Sequence, residues 1–395
     1  MAHLWRQTVA VTGMSLSSLP QRIGTAWVIV IGVAVTVAVM VSVLAMADGF
    51  ARTLKGTARV DRAIVIRAGS NAELSSTISR DNALTIIDGP GVKKADDGRP
   101  AATAEVVTIM ALPQKSTGTD ANVTMRGIGP EAMSARPEMR LVAGRMFRPA
   151  VRELIAGRSA AAQFRGLDLG SHLVFRDSEW TVVGIFESGA DAHESELQAD
   201  SETVLSAYRR SLFQSVTVLL DSPADFDRFK AKLTSDPTLS VDVKREPDYY
   251  TEQSQQLSKL LNALAYFVGS IMALGAVFGA LNTMYSAVST RQREIATLRA
   301  IGFGGLPVVV SVMIESVLLS LLGSALGAAA ALLLFNGNTL NTLGANFTQV
   351  VFHLSVSPPV LVSGVIVACV IGAAGGLLPA IRAARMPVAA ALRTN

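Results

Sequence analysis

Two kinds of hydrophobic patterning divide this chain. Long apolar blocks stand toward both ends, and the stretch between them mixes charged and apolar residues over much shorter distances. From Thr25 to Ala47 no charged residue occurs, and a helix of that length reaches ~30 Å, one hydrocarbon thickness. Three further blocks follow at 259–290, 307–335 and 358–381. The patterning predicts four transmembrane helices. A signal peptide cleaved after Ala45-Met46-Ala47 competes for the first block, but a signal's apolar region is roughly 7–15 residues and this one is longer. Leu257, Leu260, Leu261 and Leu264 keep helical spacing ahead of the second block, so that helix is expected to continue out of the preceding domain.

Residues 48–258 read as a folded α+β domain inserted between helices 1 and 2. Segments 63–67, 105–111, 173–175, 180–186 and 215–220 are rich in Val, Ile and Thr and predict strands. Segments 152–164, 202–210 and 223–233 predict helices, the last capped by Ser222. The stretch 88–100, with its Gly, Pro, Lys and Asp residues, predicts an exposed loop. Two lobes are compatible with this mixture.

Charge orients the molecule. The net charge is +4 over 395 residues, and the basic excess sits beside apolar blocks: Arg6, Arg22, Arg291, Arg293, Arg299, Arg382, Arg385 and Arg393, against the single acid Glu294. That is a topology signal and not a nucleic-acid footprint. It places 1–24, the loop 291–306 and the tail 382–395 in the cytoplasm. The domain 48–258 and the uncharged loop 336–357 then face outward, giving a multi-pass inner-membrane protein with a periplasmic domain. The lone cysteine, Cys369, allows no intrachain disulfide.

Candidate chemistry is sparse. No G-x-x-x-x-G-K-[ST] loop occurs, nor any G-x-S-x-G, H-E-x-x-H or kinase-type set, so a non-catalytic chain without a cofactor or metal of its own is expected. The densest polar cluster holds Asp191, His193, Glu194, Glu196 and Asp200. Its hard oxygens and one imidazole are of metal-ligand type, but a solvated acidic loop is the expected form. Glu315 is the one carboxylate well inside a span; ionised at mid-membrane it would cost ~2.5–3.5 kcal/mol, so it should face other helices or water. It is either a coupling or substrate-path residue or, the favoured reading, a structural partner for an arginine or for backbone donors. Glycine pairs at spacing four, Gly275/Gly279, Gly323/Gly327 and Gly372/Gly376, are candidates for close helix packing.

Residues 282–302, NTMYSAVSTRQREIATLRAIG, resemble the segment after the second span of MacB/FtsX-like ABC permeases, which include macrolide-exporter and lipoprotein-releasing permeases. The pattern there is close to N-x-M-x-x-S-V-x-x-R-x-R-E-I-G-x-L-R-A-I-G. Residues 314–323, IESVLLSLLG, are similar to the family's third span, Glu315 included, and 378–392, LPAIRAARMPVAAAL, to its close. Gly144-Arg-Met-Phe147, Glu153–Gly157 and Val183–Phe186 resemble pieces of its outer domain. Ala296 departs from the family's usual glycine, and an ATPase domain like that fused to the macrolide exporter is not seen.

The resemblance implies a permease subunit of a mechanotransmission transporter, a dimer of this chain or of it and a paralogue. ATP and Mg would be bound by a separate ATPase, which docks on the short helix between spans two and three. Arg291, Arg293, Glu294, Ile295, Leu298, Arg299 and Gly302 match that segment, with Ile295 and Leu298 expected to face the partner. Export from the periplasm, with an adaptor and an outer-membrane channel, is the expected task. Lipoprotein release and activation of a periplasmic wall hydrolase, as in the cell-division relative, are the alternatives within the family. A membrane-anchored sensor or enzyme without an ATPase is the alternative outside it.

Overall fold

A computed structural model describes residues 2–17, 23–175, 177–343 and 349–387. Arg22, Arg393 and residues 388–392 of the closing motif lie outside the described residues. In chain order come α1 (Ala2–Ser17), α2 (Ile23–Gly56), β1 (Arg62–Arg67), α3 (Arg80–Ile87), β2 (Ala102–Pro113), β3 (Asp120–Ile128), α4 (Ala132–Ala135) and β4 (Arg140–Gly144). Next are β5 (Glu153–Gly157), α5 (Arg158–Gln163), β6 (His172–Phe175), β7 (Ser178–Glu187), β8 (Glu196–Asp200), α6 (Ser201–Ala207), β9 (Ser215–Leu219), α7 (Asp225–Thr234) and β10 (Val241–Arg245). Last come α8 (Glu246–Thr290), α9 (Gln292–Ala300), α10 (Gly305–Phe335), β11 (Thr339–Leu343), β12 (Gln349–His353) and α11 (Pro358–Arg385).

The chain divides into two compact units. One comprises 1–48, 259–338 and 354–395, and the other 49–258 with 339–353. Four helices, α2, α8, α10 and α11, are long and apolar enough to cross a membrane. Each overruns the apolar block that announced it, α2 to Gly56 and α8 back to Glu246.

In the helical unit, small residues set the approach of neighbours. A Cβ at Gly323 would sit 2.6 Å from the carbonyl oxygen of Val30, and one at Gly327 2.3 Å from that of Ala34, so α10 lies directly on the α2 backbone. Cβ atoms at Gly372 and Gly376 would each come 2.8 Å from α10, at Val317 and Ser316, and the Ser316 hydroxyl donates to the Gly372 carbonyl at 2.8 Å. Among the described residues nothing lies within 4 Å of a Cβ added at Gly275 or Gly279, so no close helix approach depends on this pair there.

The mixed unit is built on a sheet in the order β10-β1-β9-β2-β3-β8-β5-β7-β4, with β6 against β7. The long strand β2 joins two lobes: residues 102–105 pair with β9, and 106–113 pair with β3. Strand identity follows from β-branched runs such as Ile64-Val65-Ile66 and Val216-Thr217-Val218, whose side chains are buried. Helix α3 starts where the Ser79 hydroxyl accepts from the Asn82 N–H.

Three expectations are corrected. Residues 152–164 are not one helix: Leu154–Ala156 are wholly buried between β7 and β8, and only α5 is helical. Backbone pairing on both sides outweighs local helix propensity there. Helix α7 begins at Asp225 with no side-chain cap, because the Ser222 hydroxyl is bound to the Asp225 carboxylate at 2.7 Å. The segment 336–357 is more than a short loop: β11 and β12 form an antiparallel hairpin that belongs to the mixed unit. The Val351 N–H donates to the Ser195 hydroxyl at 3.0 Å, and Phe352 packs edge-on against Phe50.

Candidate functional site

Helix α9 occupies residues 292–300, within the segment that the resemblance implies to be a short helix. Gly302, at φ +101°, lets the chain reverse. Its N–H donates to the Arg299 carbonyl at 3.2 Å, and the Phe303 N–H donates to the Leu298 carbonyl at 3.0 Å. These two bonds satisfy carbonyls the helix end would otherwise leave open. Arg299 reaches the Met386 carbonyl at 2.7 Å, tying α9 to the residue after α11.

Arg291, between α8 and α9, donates to the Ser15 carbonyl at 2.7 Å and pairs with Glu315 at 3.2 Å. Glu315 therefore has the arginine partner expected of a carboxylate in a span. Ser15 and Ser311 are 2.9 Å apart through their hydroxyls. Together α1, α9 and the ends of α8 and α10 enclose a cavity of about 610 Å³ with Arg291, Glu294, Leu298 and Glu315 in its wall.

The outward face of α9 differs from expectation. Ile295 and Ala296 are buried in the unit's own core, and Leu298 is half-buried. Exposed are Arg293, Glu294, Thr297, Ala300 and, just beyond the helix, Ile301. The apolar residues anchor α9 to its own chain, so any docking surface here is mainly polar.

In the mixed unit, the cluster expected to be a solvated acidic loop is a buried one. Asp191, His193, Glu194, Glu196 and Asp200 are all buried. Asp191 caps the turn 192–195 and Asp200 caps α6. Among the described residues no group of three such side chains is placed to hold a metal ion. The sequence showed the acids but not the arginines that face them, Arg126 from β3 and Arg136 from the end of α4.

Arg126 on β3 binds Glu196 at 2.7 Å and Glu73 at 2.8 Å, and also pairs with Glu105. Arg136 binds Glu105 at 3.0 Å and Glu246 at 3.3 Å. Arg62 binds Glu246 and Glu138, each at 2.6 Å. His193 lies between Arg136, 2.7 Å from Nε2, and Glu196, 3.0 Å from Nδ1. A guanidinium can only donate, so Nε2 carries the lone pair and Nδ1–H donates to Glu196.

Burial pushes the Glu105 carboxyl up, but Arg136 and Arg126 outweigh it and hold it at about 2. Glu196 is likewise brought well below the usual carboxylate range, Arg126 overcoming burial. Burial raises the phenols of Tyr249 and Tyr250 well above their ordinary value. Charges this deep persist because each is paired. The network ties β1, β2, β3 and β8 to the first turn of α8, where Glu246 is the opening residue. The available signal was a charge inside an apolar strand run, as at Glu105 and Arg126.

A set of four long apolar helices, a short helix between the second and third, and a large mixed domain between the first and second defines a membrane permease subunit. The chain belongs to the MacB/FtsX-like ABC permease family: residues 26–236 match the MacB-like periplasmic core domain, and 266–388 the FtsX-like permease C-terminal. It is 25% identical over 379 residues to the macrolide export ATP-binding/permease protein MacB of Hahella chejuensis, covering 86% of this chain and 56% of that one. An uncharacterized ABC transporter permease of Bacillus subtilis, YknZ, is 25% identical over 205 residues, 50% of this chain and 49% of the relative. The periplasmic region of MacB from Actinobacillus actinomycetemcomitans aligns over 49% of this chain and 92% of that structure, at 16% identity and TM-score 0.37. The chain spans about half the length of the curated relatives it matches.

Proposed function

We propose that this chain is the membrane subunit of an ATP-driven transporter whose ATPase is a separate protein that docks on α9. The observation that carries the reading is α9 itself. It is a short helix closed at Gly302, pinned by buried Ile295 and Ala296, and it shows Arg293, Glu294 and Thr297 to the outside. Arginine-rich flanks assign α9 and both chain ends to the cytoplasm, and the mixed unit to the periplasm. Helix α8 runs unbroken from Glu246 to Thr290, next to α9. Force delivered at α9 would travel along α8 to the ionic network around Glu246, a two-state coupling in which ATP binding biases one arrangement of the helices.

A second copy or a paralogue completes the working unit. On α8, Leu260, Leu264, Phe267, Ile271, Leu274 and Phe278 are exposed and recur at alternating spacings of four and three, the heptad seam of paired helices. Export of material already in the periplasm is the task most in keeping with spans whose buried faces are dominated by apolar and small residues. An adaptor and an outer-membrane channel would complete that assembly.

The test is purification of the tagged chain from its host membranes beside a Glu294→Lys variant. A P-loop ATPase should accompany the parent chain, and its recovery should fall about tenfold with the variant, insertion being unchanged. Equal recovery with both, or recovery with neither, overturns the docking reading. Reporter fusions placing residues 291–302 outside the cytoplasm would overturn the topology.

A further inference from the structure

We infer that the mixed unit carries a binding site for an anionic amphiphile, in a cavity between α5, the edge of the β4–β7 pair and the β11–β12 hairpin. This site is a property of the mixed unit and does not depend on the ATPase reading. The cavity measures about 930 Å³, at the upper end of the range that small organic ligands fill and far more than a bare phosphate or carboxylate needs.

Its charges favour an anion. Lys115, Arg140 and Arg158 line it, against Glu187 and Glu194. Oε1 of Glu194 accepts from the N–H groups of Ser188 and Ala190 at 2.9 and 2.7 Å, and Oε2 accepts from the Ser159 hydroxyl on α5 at 3.4 Å. Those donors are neutral and leave its charge in place, so three cations face two carboxylates, an excess of one positive charge. Arg140 and Arg158 both bind Glu187, at 2.9 and 2.6 Å, yet their side chains remain 76% and 58% exposed while Glu187 is only 15% exposed. Two guanidiniums held on one sunken carboxylate keep donors free for a second carboxylate, phosphate or sulfonate. Lys115 adds a third positive group, its ammonium anchored on the Ala161 carbonyl at 2.8 Å.

The opposite wall, on the hairpin, is mixed, with the exposed imidazole of His353 beside two apolar residues. The hairpin contributes Leu340 and Val351, positions available for an alkyl or aryl body once the head is bound. Gln163, also in the wall, has both amide atoms shut off from solvent without a hydrogen-bond partner. A polar atom of a ligand would relieve that cost after a small side-chain rotation. The hairpin is anchored beside the cavity through Ser195 and Phe50, so its two apolar residues are held in place before a ligand arrives.

The test uses the full chain in phosphatidylcholine nanodiscs, with Cys369→Ala to clear the native thiol and Ser116→Cys at the cavity rim bearing an environment-sensitive fluorophore. Octanoate, octyl phosphate, octylammonium and octanol share one body and differ in the head. The two anions should give saturable responses, the tighter of them naming the head as carboxylate or phosphate, while the cation and the alcohol give none at equal concentration. Arg140→Glu with Arg158→Glu should weaken the anion response about tenfold, and Lys115→Ala about threefold. Thermal melting checks that the variants are folded; should the double variant fail to fold, Lys115→Ala still decides. Equal responses to all four probes, or an unchanged response in Lys115→Ala, overturn the proposal.

Discussion

Removing the Glu246 carboxylate tests how firmly the start of α8 is held to the sheet. The side chain is about 1% exposed and binds Arg62 at 2.6 Å and Arg136 at 3.3 Å. It also accepts the Arg59 backbone N–H at 2.9 Å. Glu246→Ala leaves two guanidiniums short of a partner in a dry interior, a change that costs about 3–5 kcal/mol. Arg62 retains Glu138, and Arg136 retains Glu105, so the lower end, about 3 kcal/mol, is expected. At roughly 2–4 °C per kcal/mol for a unit of this size, melting should fall by about 6–12 °C. Buried Trp180 in the mixed unit supplies a fluorescence signal for that transition. Glu202→Ala is the control, because the Arg80–Glu202 pair is more than half exposed at both ends and such pairs contribute at most about 1 kcal/mol. If the two variants melt alike, the network does not hold α8 and the coupling path through Glu246 loses its physical basis.

Acid should loosen the same network. Glu105 is held at about 2 against an ordinary 4.5, so its stabilisation is fully present above about pH 4.5 and is lost as pH falls toward 2. A melting series across that interval should decline steeply, and a flat profile would show that the carboxylates are not charged in the folded state. Gly327→Leu should cost at least about 1–3 kcal/mol by overpacking, since even a Cβ there meets the Ala34 carbonyl at 2.3 Å, whereas Gly279→Ala meets nothing within 4 Å. Equal thermal stability of the two in nanodiscs would contradict the α2–α10 packing. Glu315→Gln keeps an acceptor for Arg291, which retains the Ser15 carbonyl. It should therefore leave insertion intact and stability within about 1–2 kcal/mol; loss of transport at normal expression would make Glu315 more than a structural partner.

What local pattern can carry, it carried here. An uncharged helix in hydrocarbon needs only length and composition, so all four long apolar helices were readable, and the resemblance of residues 282–302 implied α9. The leucine spacing at 257–264 that carries α8 out of the preceding domain and the β-branched strands were also present as spacing. Pairing was not. Residues 152–164 look helical until β7 and β8 claim their first half, and the uncharged loop after α10 hides a hairpin whose partners lie in the mixed unit. Ile295 could face a partner or its own core with the same helical spacing, and only the packing of α9 decides that it faces inward. The ionic network is the extreme case. Arg62 and Glu246 stand 184 residues apart, and Arg126 and Glu196 stand 70 apart. A single carboxylate in a sequence looks the same whether it meets water or an arginine. Burial settles which, because a charge can leave water only where another part of the fold brings its counter-charge, and that is a property of the assembled sheet and of no segment alone.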